Sequence, residues 1–352
     1  MLSRYTLSLA ALLASTLPAL AADSGYREFK AWQVSCGQTL SCGMRQYISG
    51  SAVSGFELRR SGAPEAPVVL ILSPDDSNIL EGDGELGVTI AIDDGQTVAM
   101  SGDAITASVE AGTLELAGDF IANGLISALK DGTTATIAIT RGATSVQGEV
   151  PLAGAAASLL FIDEYQKRVG HVDAMSAKGD KAPNPAPPIS DVRRLSDFPE
   201  GVRVRFAAGG ECGETEETML DGNALAHKLF DELTLYVTPC GMGGAYNMPY
   251  AVFVDSYGTV STLAFPMMRD GAPSAATVAY NLAYDYETGL FSAFFRGRGI
   301  GDCGTYSEWK LSEGGVGPQL LLVTETFRDC PEEVDENEEI DPANWAKAWP
   351  LN

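Results

Sequence analysis

Short apolar segments separated by turn residues fill the first half of the chain. Examples lie at 68–72 and 88–92, and Asp94-Gly95 separates the second from another that begins at Val98. In the second segment, large apolar residues alternate with smaller ones. A period of two is typical of a β-strand, and Asp-Gly between two such segments indicates a hairpin. The pattern predicts an antiparallel, sandwich-like β domain.

A different period follows, in which apolar residues recur every three or four positions: Leu159, Ile162, Tyr165, Val169 and Val172. Polar residues take the opposite positions: Asp163, Glu164, Gln166 and Lys167. This spacing predicts an amphipathic α-helix. We expect the helix to end an N-terminal domain of residues 22–177.

Residues 178–190 read KGDKAPNPAPPIS, with four prolines and little apolar content. Such a composition is typical of an extended, solvated linker. We therefore predict a second domain at 191–330, since the whole chain of 352 residues exceeds the usual size of one domain.

The second half repeats the β pattern with more aromatic residues. We predict strands at 233–237, 251–254, 260–265, 277–286, 290–295 and 319–327, with a hairpin loop at 287–289. An Asp-Gly-Asn start before Leu225 and Leu229 predicts a short helix at 223–232. The predicted fold class is mostly β with a few helices, in two antiparallel β-rich domains, the second a sheet meander.

An acidic tail at 331–352 ends the chain. It holds seven carboxylates between Glu332 and Asp341, followed by Trp345 and Trp349. We interpret the acids as a solvated run, with a calcium site as the alternative. The two tryptophans can dock the end of the chain onto the preceding domain.

The first 22 residues have the three parts of a secretory signal peptide. Arg4 precedes an apolar run at 7–17, and small residues follow at Ala19, Ala21 and Ala22. The apolar run is too short to span a bilayer. We predict cleavage after Ala21 and a soluble periplasmic protein, with an extracellular location as the alternative.

Six cysteines follow this segment: Cys36, Cys42, Cys212, Cys240, Cys303 and Cys330. An even number in an exported protein favours disulfides over a metal site, because zinc needs closely spaced Cys or His pairs. Their order suggests three local bridges, each joining one cysteine to the next, but other pairings stay open.

The formal charge of −24 narrows the choice of partners. Nucleic acid and anionic lipid surfaces carry dense negative charge that a partner must neutralise with Lys or Arg. We therefore expect no nucleic-acid partner and no stable membrane insertion.

Residues for catalysis are few. His171 and His227 are better explained by packing or surface exposure than by catalysis. Ser-x-x-Lys occurs at 307–310 and 127–130, without the downstream Lys-Thr-Gly of the serine acylases. The oxygen-rich residues Asp75, Asp76, Asn78, Glu81, Asp83 and Glu85 lack the spacing of an EF-hand. We interpret them as a polar turn, and expect no catalytic residue, cofactor or metal.

Two features remain as candidates for binding a ligand: an aromatic hairpin and a pair of arginines at its end. Tyr280, Tyr284 and Tyr286 lie on one face of a predicted strand, and Phe291, Phe294 and Phe295 lie on its hairpin partner. A buried core is the favoured interpretation, and a glycan or peptide platform is the alternative. Arg296 and Arg298 end the hairpin, where they either pair with carboxylates or recognise an anion.

The motif Trp32-Gln33-Val34-Ser35-Cys36, with Cys42 and Gln46, resembles the start of the invasion-associated locus B family of exported bacterial proteins. That resemblance covers the N-terminal domain. The further cysteine pair usual in that family has no counterpart at 100–123.

Other motifs span both halves: Leu152-Ala153-Gly154-Ala155, residues 160–163, Arg168, Gly170, Asp173-Ala174, Pro239-Cys240, Gly244-Ala245-Tyr246-Asn247, Cys303-Gly304 and Trp309. Together they resemble the exported bacterial family catalogued as domain of unknown function number 1176. The resemblance implies a periplasmic location and brings no established activity or catalytic residues. Tyr246 and Asn247 are candidate binding residues, although a turn-forming role is at least as consistent with the glycines before them.

These observations favour a non-enzymatic periplasmic envelope protein that binds a protein, peptide or glycan. A carboxylate-based envelope hydrolase and a purely structural or stress-related envelope protein are the alternatives.

Overall fold

A computed structural model of the chain describes residues 25–93, 95, 97–312, 317–333 and 340–350. The predicted signal peptide, Asp94 of the predicted hairpin and part of the predicted acidic tail lie outside these residues. Strands dominate the described part of the chain, and this confirms the predicted fold class.

The N-terminal half (residues 25–177) contains two antiparallel sheets. Its strands are β1 (Tyr26–Phe29), β2 (Trp32–Cys36), β3 (Cys42–Tyr47), β4 (Val53–Arg60), β5 (Val68–Pro74), β6 (Leu86–Ile92), β7 (Thr97–Ser101), β8 (Ile105–Ser108), β9 (Thr113–Leu116), β10 (Thr134–Arg141) and β11 (Thr144–Pro151). The first sheet has the order β1-β2-β3-β4-β5-β9-β8 and the second β11-β10-β6-β7. Pairing of β6 with β7 confirms the predicted hairpin.

One apolar core joins the two sheets of the N-terminal half. Trp32, Met44 and Phe56 come from the first sheet, and Ile90 and Ile137 from the second. Because side chains alternate between the faces of a strand, burial of every second residue leaves the intervening residues of β2, β3 and β4 on the opposite face. That outer face becomes important below.

Three α-helices are described: α1 (Ile126–Asp131), α2 (Ala155–Tyr165) and α3 (Glu200–Arg203). The predicted amphipathic helix is α2, but it ends at Tyr165, because Lys167 takes a left-handed backbone conformation with φ of 57°. Val169 and Val172 lie beyond the helix and are exposed. The prediction of a polar outer face is wrong at Asp163 and Gln166, since both side chains are buried.

The predicted linker lies against the turn that follows α2. Lys181 forms an isolated parallel bridge with His171, and the Asn184 side chain donates to the Lys167 carbonyl at 2.7 Å. A strand begins at Ile189, within the predicted linker. The domain boundaries themselves stay predictions.

The C-terminal half (residues 189–350) adds a third and a fourth sheet and a two-stranded ribbon. Its strands are β12 (Ile189–Val192), β13 (Ala224–Phe230), β14 (Leu233–Pro239), β15 (Pro249–Ser256), β16 (Thr259–Thr262), β17 (Phe265–Arg269), β18 (Ala272–Ala276), β19 (Ala279–Tyr280), β20 (Ala283–Asp285), β21 (Leu290–Arg296), β22 (Gly304–Ser312), β23 (Gln319–Arg328) and β24 (Ala346–Trp349). The third sheet has the order β12-β13-β14-β15-β16, with β19 also paired to β15. The fourth has the order β20-β21-β22-β23-β24, and β17 pairs with β18.

The third sheet is buried on both faces. In β15, Val252 and Val254 enter the core shared with the fourth sheet, whereas Ala251 and Phe253 enter a second core beside α3. A strand covered on both faces reads as a continuous apolar run. The strand predicted at 251–254 is confirmed, as part of β15.

The predicted helix at 223–232 is wrong, because these residues form β13. The strand pairs with β12 on one side and with β14 on the other. Main-chain pairing on both edges, with burial of Ala224 and His227, outweighs the weak helical spacing of the segment.

Two predicted strands are interrupted. The strand predicted at 277–286 breaks at Asn281, whose φ is 52°, into β19 and β20, which belong to different sheets. The strand predicted at 260–265 divides into β16 and β17. Consequently the three tyrosines do not share one face: Tyr280 is exposed, whereas Tyr284 is buried.

Three disulfides stabilise the fold, and their pairing confirms the suggested order. They join Cys36 to Cys42, Cys212 to Cys240 and Cys303 to Cys330. The end of the chain also docks as suggested. The Trp345 ring lies 5.6 Å from that of Phe294, and β24 pairs with β23.

Candidate ligand-binding cleft

A cleft of about 710 Å³ lies between the outer face of the first sheet and the third sheet of the C-terminal half. Its volume is in the range of small-molecule and peptide sites. The Cys36–Cys42 disulfide lies in its wall. Both halves of the chain therefore contribute to this cavity.

The pleat of β3 and β4 places charged side chains in the cleft. Met44 and Leu58 point into the core, so that their neighbours Arg45, Glu57 and Arg59 point outward. Arg45 and Glu57 are direct partners across the two strands. Local sequence alternation therefore creates the charged floor.

The C-terminal half closes this floor with a chain of alternating charges. Arg59 contacts Glu57 at 2.8 Å and Asp221 at 2.7 Å. Asp221 also lies 3.5 Å from Arg193, which lies 3.4 Å from Asp191. Asp221 is thus held between an arginine of each half.

The charges of the cleft are not all matched. Burial disfavours the charge of Arg59, but Glu57 and Asp221 outweigh it and raise the pKa of Arg59. Arg45 differs, because no ion pair joins it to a carboxylate of the described residues. Arg45 is exposed.

An apolar surface forms the opposite end of the cleft. Leu225, Val237, Tyr250, Leu282 and Tyr284 line it. Burial raises the pKa of Tyr250, whose hydroxyl donates to Asn223 Oδ1 at 3.4 Å. The cleft therefore combines a charged floor, with three arginines and three carboxylates, and an apolar wall.

A second hollow of about 500 Å³ continues from the cleft across the first sheet. The two cavities share Arg45, Glu57, Arg59 and Asp221. Together they form a groove across the outer faces of β2, β3, β4, β5 and β9. A short extended chain fits such a shape better than a compact molecule does.

The four residues predicted to bind a ligand are Tyr246, Asn247, Arg296 and Arg298. They lie near one another but do not line the cleft. The Asn247 side chain accepts from the Arg296 backbone N–H at 3.0 Å and donates to its carbonyl at 2.9 Å. Arg298 pairs with Asp302, its Nε lying 2.7 Å from Oδ1. Tyr246 is exposed, and the Arg296 guanidinium lies over the Phe294 ring. Asn247 and Arg298 have structural partners, and a binding role for the four residues stays a prediction.

The other singled-out residues have structural environments. His227 is buried with a ring nitrogen 2.7 Å from the Tyr284 hydroxyl, and a ring nitrogen of His171 contacts the Ala182 carbonyl. Ser307 lies on β22 and not at a helix start. It donates to Glu325, which is buried, and this burial raises the pKa of Glu325.

The polar stretch at 74–85 forms a turn, as interpreted. The Asp76 side chain accepts from the Asn78 N–H at 3.0 Å and begins a 3₁₀ turn at Ser77–Leu80. Within the described residues, no group of three or more His, Cys, Asp or Glu side chains is arranged to hold a metal ion.

A buried charge cluster lies behind the first sheet. The Asp163 carboxylate accepts three backbone N–H groups, from Met175 at 2.8 Å, Ser176 at 2.7 Å and Ala177 at 3.0 Å. Arg168 lies 3.1 Å from Asp173, although its Nη1 has no well-directed hydrogen bond. These side chains hold the turn after α2 against the N-terminal core.

Arg60 completes this buried cluster. Its Nε donates to the Ala66 carbonyl at 3.0 Å, and its guanidinium lies 3.7 Å from Asp173. Burial and the neighbouring Arg168 lower the pKa of Arg60 to about 10 despite the nearby carboxylates. Three of the motif residues that carried the second family resemblance, Asp163, Arg168 and Asp173, therefore have a structural role.

The cleft residues were not predicted from the sequence. Arg45, Glu57 and Arg59 sit at alternate positions of two short strands, a signal that is usual for any solvated sheet face. Asp221 and Arg193 follow them by more than a hundred positions. Only their position in the folded chain relates them to the first sheet.

In the part of the chain that the structure covers, no helix has the length and apolar character needed to cross a membrane.

Fold and cleft together define a β-rich, disulfide-bonded protein with a charged groove between its halves. The chain belongs to the family described as protein of unknown function DUF1176, whose model matches residues 26–326. It is also similar to the uncharacterized protein YpfG of Escherichia coli strain K12, with 24% identity over 308 residues that cover 81% of this chain and 84% of that protein. No solved structure matches the chain.

The family match confirms the resemblance that spans both halves of the chain. The resemblance of the N-terminal half to the invasion-associated locus B proteins stays a prediction.

Proposed function

We propose that the chain is an exported, non-enzymatic envelope protein that binds an anionic ligand in the cleft between its halves. The observation that carries this proposal is the set of arginines at the cleft in a strongly acidic chain. Arg45, Arg59 and Arg193 line it together with the carboxylates Glu57, Asp191 and Asp221, so the cleft is formally neutral, whereas the whole chain has a formal charge of −24. An anion therefore meets less repulsion at this cleft than over the rest of the acidic surface.

Two features support export. The N-terminal segment has the charge, apolar run and small residues of a signal peptide. Three disulfides, with no free cysteine among the described residues, suit an oxidising compartment. The periplasm is the location that we propose.

Binding is favoured over hydrolysis by the state of the cleft carboxylates. Carboxylate-based hydrolases use a pair in which one carboxyl keeps its proton. Each carboxylate of the cleft, Glu57, Asp191 and Asp221, instead contacts an arginine and is engaged in an ion pair within the protein. The arrangement therefore supports recognition of a ligand.

The first experiment measures binding to the oxidised chain of residues 22–352. Short peptides and charged oligosaccharides are screened by NMR line broadening, and hits are measured by calorimetry on wild type and Arg45→Ala. We expect the hits to be anionic and to bind Arg45→Ala about tenfold more weakly, as expected for loss of one charge-assisted contact.

Arg203→Ala is the matched control, because Arg203 is exposed and does not line the cleft. It should bind like wild type. Hits that Arg45→Ala and Arg203→Ala bind equally well would place the site elsewhere. The absence of any hit would contradict the proposed function.

A further inference from the structure

We propose that the Asp221 carboxylate occupies the position in which a ligand carboxylate binds. The ligand that we propose is a peptide with an apolar last residue, whose C-terminal carboxylate displaces the Asp221 side chain. This inference rests on the proposed function, because it assigns the ligand of the same cleft. It also makes Asp221 a built-in competitor of that ligand.

The geometry around Asp221 is that of a carboxylate site. Its Oδ2 lies 2.7 Å from Arg59 Nη1, and its Oδ1 lies 3.5 Å from Arg193 Nε. The two oxygens therefore face two different guanidinium groups, one on each side of the cleft. Guanidinium groups recognise carboxylates through such contacts, and any carboxylate of the same size fits between them.

Asp221 is also poorly anchored. Its side chain is 41% exposed, compared with 19% for Arg59 in the same ion pair. Asp221 belongs to an exposed turn in which the next residue, Gly222, has a φ of 75°. Because the exposed residues 221–223 lie between the buried Leu220 and Ala224, and the Asn223 amide donates to the Asp221 carbonyl at 3.2 Å, the displacement that we propose is a rotation of the Asp221 side chain with the turn in place.

Both arginines keep a carboxylate when Asp221 leaves. Arg59 retains Glu57 at 2.8 Å, and Arg193 retains Asp191 at 3.4 Å. Removing one partner of a charge pair is costly mainly when the other charge is left alone. Here neither charge is left alone, so exchange of Asp221 for a ligand carboxylate costs little.

The apolar wall selects the rest of the ligand. Leu225, Val237 and Tyr250 lie in the cleft that also holds the arginines. A peptide C-terminus presents a carboxylate and an apolar side chain on the same residue, which matches this arrangement. An acidic sugar presents hydroxyl groups to such a wall and leaves them without partners. Arg45, exposed on the floor, can contact a second carboxylate or a carbonyl of the peptide.

The test compares three probes on the oxidised chain of residues 22–352. They are acetyl-Ala-Ala-Phe with a free carboxylate, the same peptide as its C-terminal amide, and digalacturonate. Binding is measured by NMR titration on wild type and on Asp221→Asn, Arg59→Lys and Asp103→Asn. Asp103 is exposed and away from the cleft, so Asp103→Asn controls for the loss of one negative charge.

We expect the free acid to bind wild type about tenfold more tightly than the amide. Asp221→Asn should bind the acid several-fold more tightly than wild type, because the competing charge is gone. Asp103→Asn should match wild type. Arg59→Lys should bind the acid about tenfold more weakly, because an ammonium group lacks the planar fork of the guanidinium.

Weaker or unchanged binding of the acid by Asp221→Asn would overturn the displacement mechanism. Tighter binding of digalacturonate than of the peptide acid would overturn the peptide assignment. If the peptide acid binds no more tightly than its amide, while the wider screen yields another anion that Arg45→Ala binds about tenfold more weakly than wild type, the proposed function stands and this inference fails. If no probe binds any variant and the wider screen is also negative, both fail.

Discussion

Asp163→Ala is expected to lower the stability of the N-terminal half more than any exposed substitution. The carboxylate is fully buried and is the acceptor for three consecutive backbone N–H groups of residues 175–177. Removing it leaves those donors without a partner and takes a negative charge from beside Arg60 and Arg168.

The magnitude follows from these contacts. Each hydrogen bond to a charged acceptor contributes about 1.5–3 kcal/mol, but bonds to one group are not additive. Breaking a buried charged network costs about 3–5 kcal/mol. The free energy of unfolding of an ordinary domain is about 5–15 kcal/mol. We therefore expect the Asp163→Ala variant to fold, but with a much lower free energy of unfolding.

Asp163→Asn distinguishes charge from hydrogen bonding. The amide oxygen can take the Oδ2 position and accept from Ser176 and Ala177, but the amide nitrogen then faces the N–H group of Met175, where donor meets donor. We expect a loss of about 2–4 kcal/mol, so that the nearly isosteric change restores little.

Urea unfolding of the oxidised chain, followed by far-UV circular dichroism, measures the free energy of unfolding of each variant. Hydrogen exchange at residues 175–177 reports whether the turn after α2 has opened. Asp103→Ala is the control and should change the free energy of unfolding by less than about 0.5 kcal/mol. A loss below about 1 kcal/mol for Asp163→Ala, with unchanged exchange, would refute the reasoning.

Two further predictions concern single residues of known environment. Burial raises the pKa of Glu325 in the folded chain above its ordinary value of 4.5. At a pH between the ordinary pKa and the raised pKa, Glu325 keeps its proton in the folded chain but has lost it in the unfolded chain. The free energy of unfolding therefore falls as the pH rises through this range. In thermal unfolding, Glu325→Gln should therefore become more stable relative to wild type as the pH rises from 4 to 7, and parallel pH profiles would contradict this. Gly154→Ala should cost more than about 2 kcal/mol in urea unfolding, because a Cβ there meets the Phe29 carbonyl oxygen at 2.3 Å at a φ of 101°. At Gly112, with a φ of 65° and nothing within 4 Å, the same change should cost about 1 kcal/mol, and equal losses would reject the steric explanation.

Periodicity predicted the strands whose two faces have different environments. The segment at 88–92 alternates because one face of β6 enters the core, and it was assigned correctly. The segment at 223–232 was assigned to a helix from its Asp-Gly-Asn start and the spacing of Leu225 and Leu229, whereas it forms β13, whose burial does not alternate. The break at Asn281 was also missed. Its side chain holds the turn by four hydrogen bonds to distant residues, which a local pattern does not show.

The order of the cysteines was enough to suggest the disulfide pairing, because each bridge joins one cysteine to the next along the chain. The net charge and the composition of the N-terminal segment follow from the sequence alone, because composition does not depend on the fold. The cleft was not readable. Its floor comes from the outward positions of β3 and β4, and its other wall from Arg193 and Asp221. Local alternation determined which side chains leave the core, whereas only the contact between the two halves of the folded chain brought Asp221 between Arg59 and Arg193.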